Sequence, residues 1–435
     1  MGIAVAGAGS TWVMARHMSV AQFGRVAFVL AVVNAVAVLD GLRRVVIFQA
    51  NRGEVDWSTL YQSARRIAVL TGAAVFALVF ATALLVPALQ VSVLESLTIA
   101  ATMALYFKMA LFWAFLDADG HTAYTGAWRG VLWIGTYGAF ACFALLRAPF
   151  IAYLSALLCM NIALIAVYYL RLGREHRLSS APAQSVRIGW LYRLALDNIR
   201  FNVSAVIMGV ADRLAIGGVL GSGQVALYSA PYEFATKPVA LVRAIAQVLY
   251  PRAVTLSDSQ VALSKEWLRL SAPIVALAIT SSVIVIYFRT PLVLALLGPK
   301  YLVSADIFGV IAMAFWMVTL GYAANVYLNA NGDFVTQRRW YGWAAAIMVS
   351  GLYPILHWWG IVGAACLYTF VRGVDLVLGI LVLRAVRPQL VFAASLTLAA
   401  AFVSLAGAWI HSPMLTLIGL ASLWTLIWRA LRADN

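Results

Sequence analysis

The sequence predicts an all-α polytopic membrane protein of about fourteen transmembrane helices, and three observations carry that prediction. Of the 435 residues, 64% are hydrophobic and only 11% are charged, whereas a soluble domain is usually about half apolar and about a quarter charged. Apolar stretches of crossing length follow one another at fairly regular spacing, separated by short loops. The basic residues collect in alternate loops. Together these exclude a soluble enzyme, a nucleic-acid binder and a disordered chain. A transmembrane β-barrel is excluded because its lumen-facing residues would make every second position polar.

The spans, in order, are 2–18, 22–42, 66–89, 96–116, 128–147, 150–170, 197–220, 225–250, 271–297, 305–328, 341–358, 361–383, 390–410 and 413–430. A crossing takes about 20 apolar residues, so fourteen use about 280 and leave little chain for aqueous chemistry. The first span is short and begins abruptly. It lacks the basic leader of a signal peptide, and a start assigned too far downstream would explain its length. The second ends at Asp40, beside Arg43 and Arg44, and the third follows Arg65 and Arg66. The fourth ends in Leu116-Asp117-Ala118-Asp119-Gly120, and the fifth opens at Trp128-Arg129-Gly130. Between the sixth and seventh lies the longest loop, rich in arginine and holding Pro182, which reads as a cytoplasmic linker. The tenth ends in Leu328-Asn329-Ala330-Asn331-Gly332, and the eleventh opens at Trp340-Tyr341-Gly342. Trp358 and Trp359, and Trp424 with Trp428, fit interfacial belts.

The net charge is +15. With both termini placed in the cytoplasm, about 21 basic residues fall on the cytoplasmic side and about 5 on the other, namely Arg16, Arg25, Arg147, Arg289 and Lys300. Most of the +15 is therefore topology. One reading has Arg16 and Arg25 guarding the periplasmic mouth, with ordinary solvation in the loops the simpler account. Cys142, Cys159 and Cys366 sit in apolar runs without metal-ligand spacing, so buried thiols, no disulfide and no metal site are expected. The five histidines form no ligand pattern, and no Walker A sequence is present, so no cofactor is expected.

An internal repeat follows from the loop sequences. Residues 116–120 match 328–332, and 128–130 match 340–342, both at an offset of 212. A weaker match joins 19–24 to 221–226 at an offset of 202. The expected organisation is an N-terminal six-helix lobe (1–172), a cytoplasmic linker (173–196), a C-terminal six-helix lobe (197–385) and two additional helices (386–435). Halves of six helices share one orientation, so a pseudo-two-fold axis along the membrane normal would relate them and enclose a central cavity.

Several segments resemble polysaccharide flippases of the multidrug/oligosaccharidyl-lipid/polysaccharide exporter superfamily. They are Ala15-Arg16 through Phe23-Gly24, Asp212-Arg213 through Gly221, Val225-Ala226-Leu227-Tyr228-Ser229-Ala230, Tyr250-Pro251-Arg252, Leu297-Gly298-Pro299-Lys300-Tyr301, Leu328 to Gly332 and Gly360-Ile361-Val362-Gly363. No one of them is specific, but their order is, and they cover roughly residues 10–385. Ala226 stands where the family usually has glycine. The resemblance implies movement of an oligosaccharide on an undecaprenyl pyrophosphate carrier across the bacterial inner membrane, for O-antigen, capsule or exopolysaccharide. Glycosyltransferases and a glycan polymerase of the same pathway would be partners, and a monomer is expected.

Five cations, Lys108, Arg213, Lys237, Arg243 and Arg372, fall deep inside predicted spans, away from the loops. Each would cost about 2.5–3.5 kcal/mol at the bilayer centre, which implies pairing, snorkelling or a water-filled cavity. Glu233 and Lys237 stand four apart, and Arg372 and Asp375 three apart, so structural ion pairs are one reading. Asp212 adjoins Arg213 but is expected to point elsewhere. The functional reading has these cations lining the cavity and attracting a pyrophosphate. Asp40, Asp212, Glu233 and Asp375 are candidates for H+ or Na+ coupling, with a salt bridge to Arg43 or Arg44 the simpler account of Asp40. The competing reading is a cation-coupled small-molecule or multidrug exporter of the same superfamily, which predicts a more apolar or acidic cavity. A membrane enzyme is disfavoured because the non-cytoplasmic loops are too short to house a catalytic site.

Overall fold

The computed structural model describes residues 2–38, 57–85, 92–118, 121–176, 188–255, 260–330, 333–386 and 391–432. They form helices and the turns between them, with no strand among the described residues. In order the helices are α1 (Gly2–His17), α2 (Val20–Val38), α3 (Trp57–Leu85), α4 (Val93–Ala118), α5 (Thr122–Leu145), α6 (Phe150–His176), α7 (Ile188–Leu220), α8 (Ser222–Thr255), α9 (Gln260–Tyr287), α10 (Arg289–Leu296), α11 (Ala305–Ala330), α12 (Phe334–Val371), α13 (Gly373–Val386), α14 (Val391–Trp409) and α15 (Pro413–Arg432). Each predicted span is met by helix over its described residues. Among the described residues, five stretches are long and apolar enough to cross a membrane by themselves, and a sixth is if the bent pair α9–α10 counts as one span.

Three predicted spans are less regular than the sequence suggests. The ninth turns by 82° between Tyr287 and Arg289, so α10 leaves the line of α9. The eleventh and twelfth run together as α12, which breaks at Gly360 (φ 58°, ψ −147°), a conformation open to glycine and closed to residues with a Cβ. The twelfth is interrupted again at Arg372, where the Asp375 N–H donates to the Arg372 carbonyl at 3.0 Å.

The chain divides into two compact units, Gly2–Ala226 and Leu227–Asn435. In the first, α4 is the central helix and packs on α3 and α6, while α1 packs on α5 and α2 on α7. Met103, Met109, Phe112 and Phe115 of α4 are fully buried, and Ala100, Ala110 and Ala114 let the neighbouring backbones approach. In the second unit α11 takes the same place, packing on α9, α12 and α13. Spans four and ten are thus each the helix on which several others of their own unit pack. The weaker repeat match has a structural counterpart as well: Gly24 lies so close to Ser222 and Ala226 that a Cβ there would strike the Ser222 carbonyl.

The two last helices pack into the second unit. Ala400, Ala401, Leu405 and Ala408 of α14 and Leu423 of α15 share a core with Ala276, Ile279 and Ile286 of α9 and with Trp316 of α11. The cysteines correct the sequence reading: Cys142, Cys159 and Cys366 are free thiols exposed on the helix surfaces. Burial could not be inferred from apolar surroundings, because a helix in lipid is apolar on its outward face too.

Candidate functional site

The interruption at Arg372 builds a buried polar cluster. Twelve residues separate it from the break at Gly360, about 18 Å of helix, and both lie in a stretch apolar and long enough to cross a membrane. Asp375 lies in the first turn of α13, where the exposed N–H groups of a helix start favour a carboxylate. Arg372 Nη1 donates to Asp375 Oδ2 at 3.4 Å, and its guanidinium lies 5.2 Å from the centre of the Tyr368 ring. Their side chains are 15% and 3% exposed, so the predicted pair forms and is shielded from solvent.

Sequence reasoning missed the rest of the cluster. Tyr341 Oη donates to Asp375 Oδ1 at 2.6 Å, and Asn325 Nδ2 donates to Tyr341 Oη at 2.7 Å. Gln337 Nε2 donates to the Asn325 carbonyl at 3.3 Å. Asn325 Oδ1 and Gln337 Oε1 are buried and accept no hydrogen bond. Tyr232 of α8 packs edge-on against Tyr368 at 5.5 Å. The repeat held a signal for these residues. At its offset of 212, Asn325, Gln337 and Tyr341 correspond to Trp113, Thr125 and Arg129. In the first unit Arg129 stacks over Trp113 at 4.5 Å, and Thr125 donates to Asp117. The same positions make contact in both units, through a cation and a ring in one and through a hydrogen bond in the other.

Asp375 reaches Tyr341 because Gly321 of α11 has no side chain; a Cβ there would collide with Asp375 Oδ1. Gly321→Ala is therefore expected to cost about 1–3 kcal/mol through overpacking. Thermal unfolding of the purified protein in detergent measures it. Gly342→Ala, where a Cβ meets nothing within 4 Å, should show no such loss.

The other predicted residues are scattered. Asp212 and Arg213 of α7 are 0% and 5% exposed. Arg213 Nη2 donates to the Gly209 carbonyl at 2.6 Å, and Nε stands 3.9 Å from Asp212 Oδ1. Contrary to expectation the neighbours do meet, because the Asp212 carboxylate folds back to accept the Arg213 N–H at 2.7 Å. Lys108 is exposed on α4 between buried Phe107 and Met109. Glu233 is half-buried on α8. Asp40 lies outside the described residues, and so do the side chains of Lys237 and Arg243. Arg25 is more than a solvated loop residue. It pairs with Glu95 at 2.9 Å and lies 4.1 Å over the Phe150 ring, so it ties the starts of α2, α4 and α6 together. In the second unit Arg289 pairs with Asp306 at 3.1 Å and stacks over Trp409 at 4.7 Å.

Solved structures share this architecture. A lipid II flippase, MurJ, in an inward closed conformation superposes with a TM-score of 0.74 at 11% identity, covering 99% of this chain and 97% of that one. An inward-facing multidrug resistance MATE family transporter of the MOP superfamily gives 0.64 at 10% identity, over 89% and 96%. The Vibrio cholerae MATE transporter VcmN gives 0.56 at 13% identity, over 90% and 95%. At these identities the likeness establishes the fold. No curated protein matches. Residues 13–306 match the family described as polysaccharide biosynthesis protein. The chain belongs to that family and has the all-helical fold of the MOP-superfamily transporters.

Proposed function

We propose that this protein is a flippase that moves oligosaccharide repeat units, linked to undecaprenyl pyrophosphate, from the cytoplasmic to the periplasmic face of the bacterial inner membrane. The product feeds O-antigen, capsule or exopolysaccharide synthesis. Transport proceeds by alternating access along a path lined by intramembrane cations, and the protein performs no covalent chemistry. Family membership supports the glycan pathway. The observation that carries the anionic, lipid-linked cargo is Lys108, a cation exposed within a membrane span. Lipid charges such a group heavily, whereas a polar path carrying phosphate gives it a reason to be there. A cation-coupled multidrug exporter would have no use for Lys108 and Arg372 together.

Deleting the gene tests the reading. Lipid-linked repeat units should accumulate on the cytoplasmic face and surface polysaccharide should fall, with both restored by the intact gene. Unchanged lipid-linked glycan together with greater sensitivity to small toxic compounds would favour the exporter. A finer expectation concerns α8. Lys237→Ala with Arg243→Ala should leave the protein inserted in the membrane and lower surface polysaccharide in the complemented deletion strain. Normal polymer from that double variant would count heavily against cationic guidance along α8.

A further inference from the structure

The geometry of the Arg372 cluster points to a division of labour between the two oxygens of Asp375, and we propose that Tyr341, backed by Asn325, is the positioning residue that enforces it: a proton arriving at Asp375 must take the oxygen that holds Arg372, and so releases the guanidinium to a phosphate of the cargo. The inference rests on the flippase reading and names the residues that would link proton uptake to binding of an anionic headgroup.

Hydrogen-bond directions carry it. Asn325 Nδ2 donates to Tyr341 Oη at 2.7 Å, which leaves the tyrosine hydrogen to point at Asp375 Oδ1, 2.6 Å away. Oδ1 thereby holds the shorter and stronger of the carboxylate's two hydrogen bonds, which leaves Oδ2 the easier oxygen to protonate. A proton taken up by the carboxylate goes to Oδ2, the atom that Arg372 Nη1 contacts at 3.4 Å. An O–H on Oδ2 takes away the negative charge that holds the guanidinium, so the ionic N–H···O contact, already long, gives way. No electron moves and no covalent bond other than O–H forms. The proton comes from hydronium in the solvent, whose O–H bond breaks as the new one forms, and the site changes from a neutral pair to a net charge of +1, which a phosphate oxygen can balance. The long Arg372 contact is the weak link of the cluster, and the short Tyr341 contact is the strong one. The cluster is also short of donors, since the buried Asn325 Oδ1 and Gln337 Oε1 accept nothing; an added proton works in the direction of supplying one.

Among the described residues, few other titratable groups face the Arg372–Asp375 pair. α11 brings Asn325 and Gly321 to Asp375, and α12 brings Tyr341. Tyr368 of α12 and Tyr232 of α8 face Arg372. α14, which also packs on α13, contains no titratable residue, and the one described in α9, Tyr287, lies against Phe288 and His411. By the repeat, the first unit has Trp113, Thr125 and Arg129 in place of the Asn325, Gln337 and Tyr341 set, so it lacks the tyrosine relay.

The test measures binding of farnesyl pyrophosphate, with inorganic pyrophosphate as a second probe, to the purified full-length protein in detergent between pH 5.5 and 8.5. Phosphate itself titrates with a pKa of about 6, so the readout is each variant against wild type at the same pH, with Arg372→Gln defining the part that depends on the guanidinium. Protonation makes the site more positive, so this part of the affinity should rise as pH falls, by up to about tenfold per unit for one proton. Asp375→Asn, which imitates the protonated group, should bind at every pH as wild type binds at low pH. Tyr341→Phe should flatten the profile, because the proton can then settle on Oδ1 while Arg372 stays on Oδ2. A Tyr341→Phe profile identical to wild type, or an Asp375→Asn protein that binds like wild type at pH 8.5, overturns the proposal. Should Tyr341→Phe fail to fold, the Asp375→Asn comparison decides alone. Wild-type binding that does not change with pH relative to Arg372→Gln sinks the release mechanism and leaves the flippase reading intact. If neither probe binds at any pH, the anionic cargo itself is refuted. Farnesyl pyrophosphate binding without inorganic pyrophosphate binding identifies a lipid headgroup, and equal binding of both identifies free phosphate chemistry.

Discussion

Replacing Arg372 with alanine is expected to abolish polysaccharide export and to lower the stability of the protein, and a second substitution separates the two effects. The single change leaves the Asp375 carboxylate, 3% exposed, with Tyr341 as its remaining hydrogen-bond donor. Stranding one member of a buried ion pair typically costs about 3–5 kcal/mol. Arg372→Ala with Asp375→Ala removes both charges and should recover much of that stability, because the buried pair itself contributes little net free energy. Export should not recover if the guanidinium is needed for cargo. Thermal unfolding in detergent and surface polysaccharide in the complemented deletion strain, measured for both singles and the double, form a double-mutant cycle. If the double variant regains export as well as stability, Arg372 is a structural residue.

Lys108→Met is expected to move stability and function in opposite directions. Lys108 is exposed within α4, a helix that is otherwise largely buried. An ammonium at such depth costs up to about 2.5–3.5 kcal/mol when lipid surrounds it. Methionine keeps the length of the side chain and removes the charge, so the variant should unfold at the same temperature or higher. A cation that guides a phosphate should nevertheless be missed, with export falling about tenfold or more, the effect of some 1.4 kcal/mol in a barrier. Lys108→Arg preserves the charge and should retain most of the export. Full export by Lys108→Met would show that this charge merely snorkels from its helix toward the interface.

The repeat illustrates how far a sequence of this composition can be read. Its offset of 212 was visible in loop residues, where aspartate, asparagine, glycine and tryptophan stand out against an apolar background. The same offset aligns Trp113 with Asn325 and Arg129 with Tyr341; Arg129 touches Trp113 in the first unit, and Asn325 touches Tyr341 in the second. Those contacts were not legible, because residues of different type rarely announce equivalence. The Arg372–Asp375 pair was legible from its spacing of three. Tyr341, 34 positions from Asp375, was not.

The sequence by itself determined the class of the protein, the order of its spans, the predicted sidedness, the repeat and the family resemblance. These depend on runs of apolar residues and on the positions of lysine and arginine along the chain, which are one-dimensional properties. Only the tertiary structure decided that Cys142, Cys159 and Cys366 face outward, that Asp212 folds back on Arg213, that Lys108 is exposed where Arg213 is buried, and that Tyr341 holds one oxygen of Asp375. Each of these is set by the rotation of a helix about its own axis or by its packing on a neighbour. In water that rotation is written in the alternation of apolar and polar faces. In a bilayer both faces are apolar, so the pattern that would reveal it is erased, and small residues, buried polar groups and close contacts such as Gly321 against Asp375 make the choice instead.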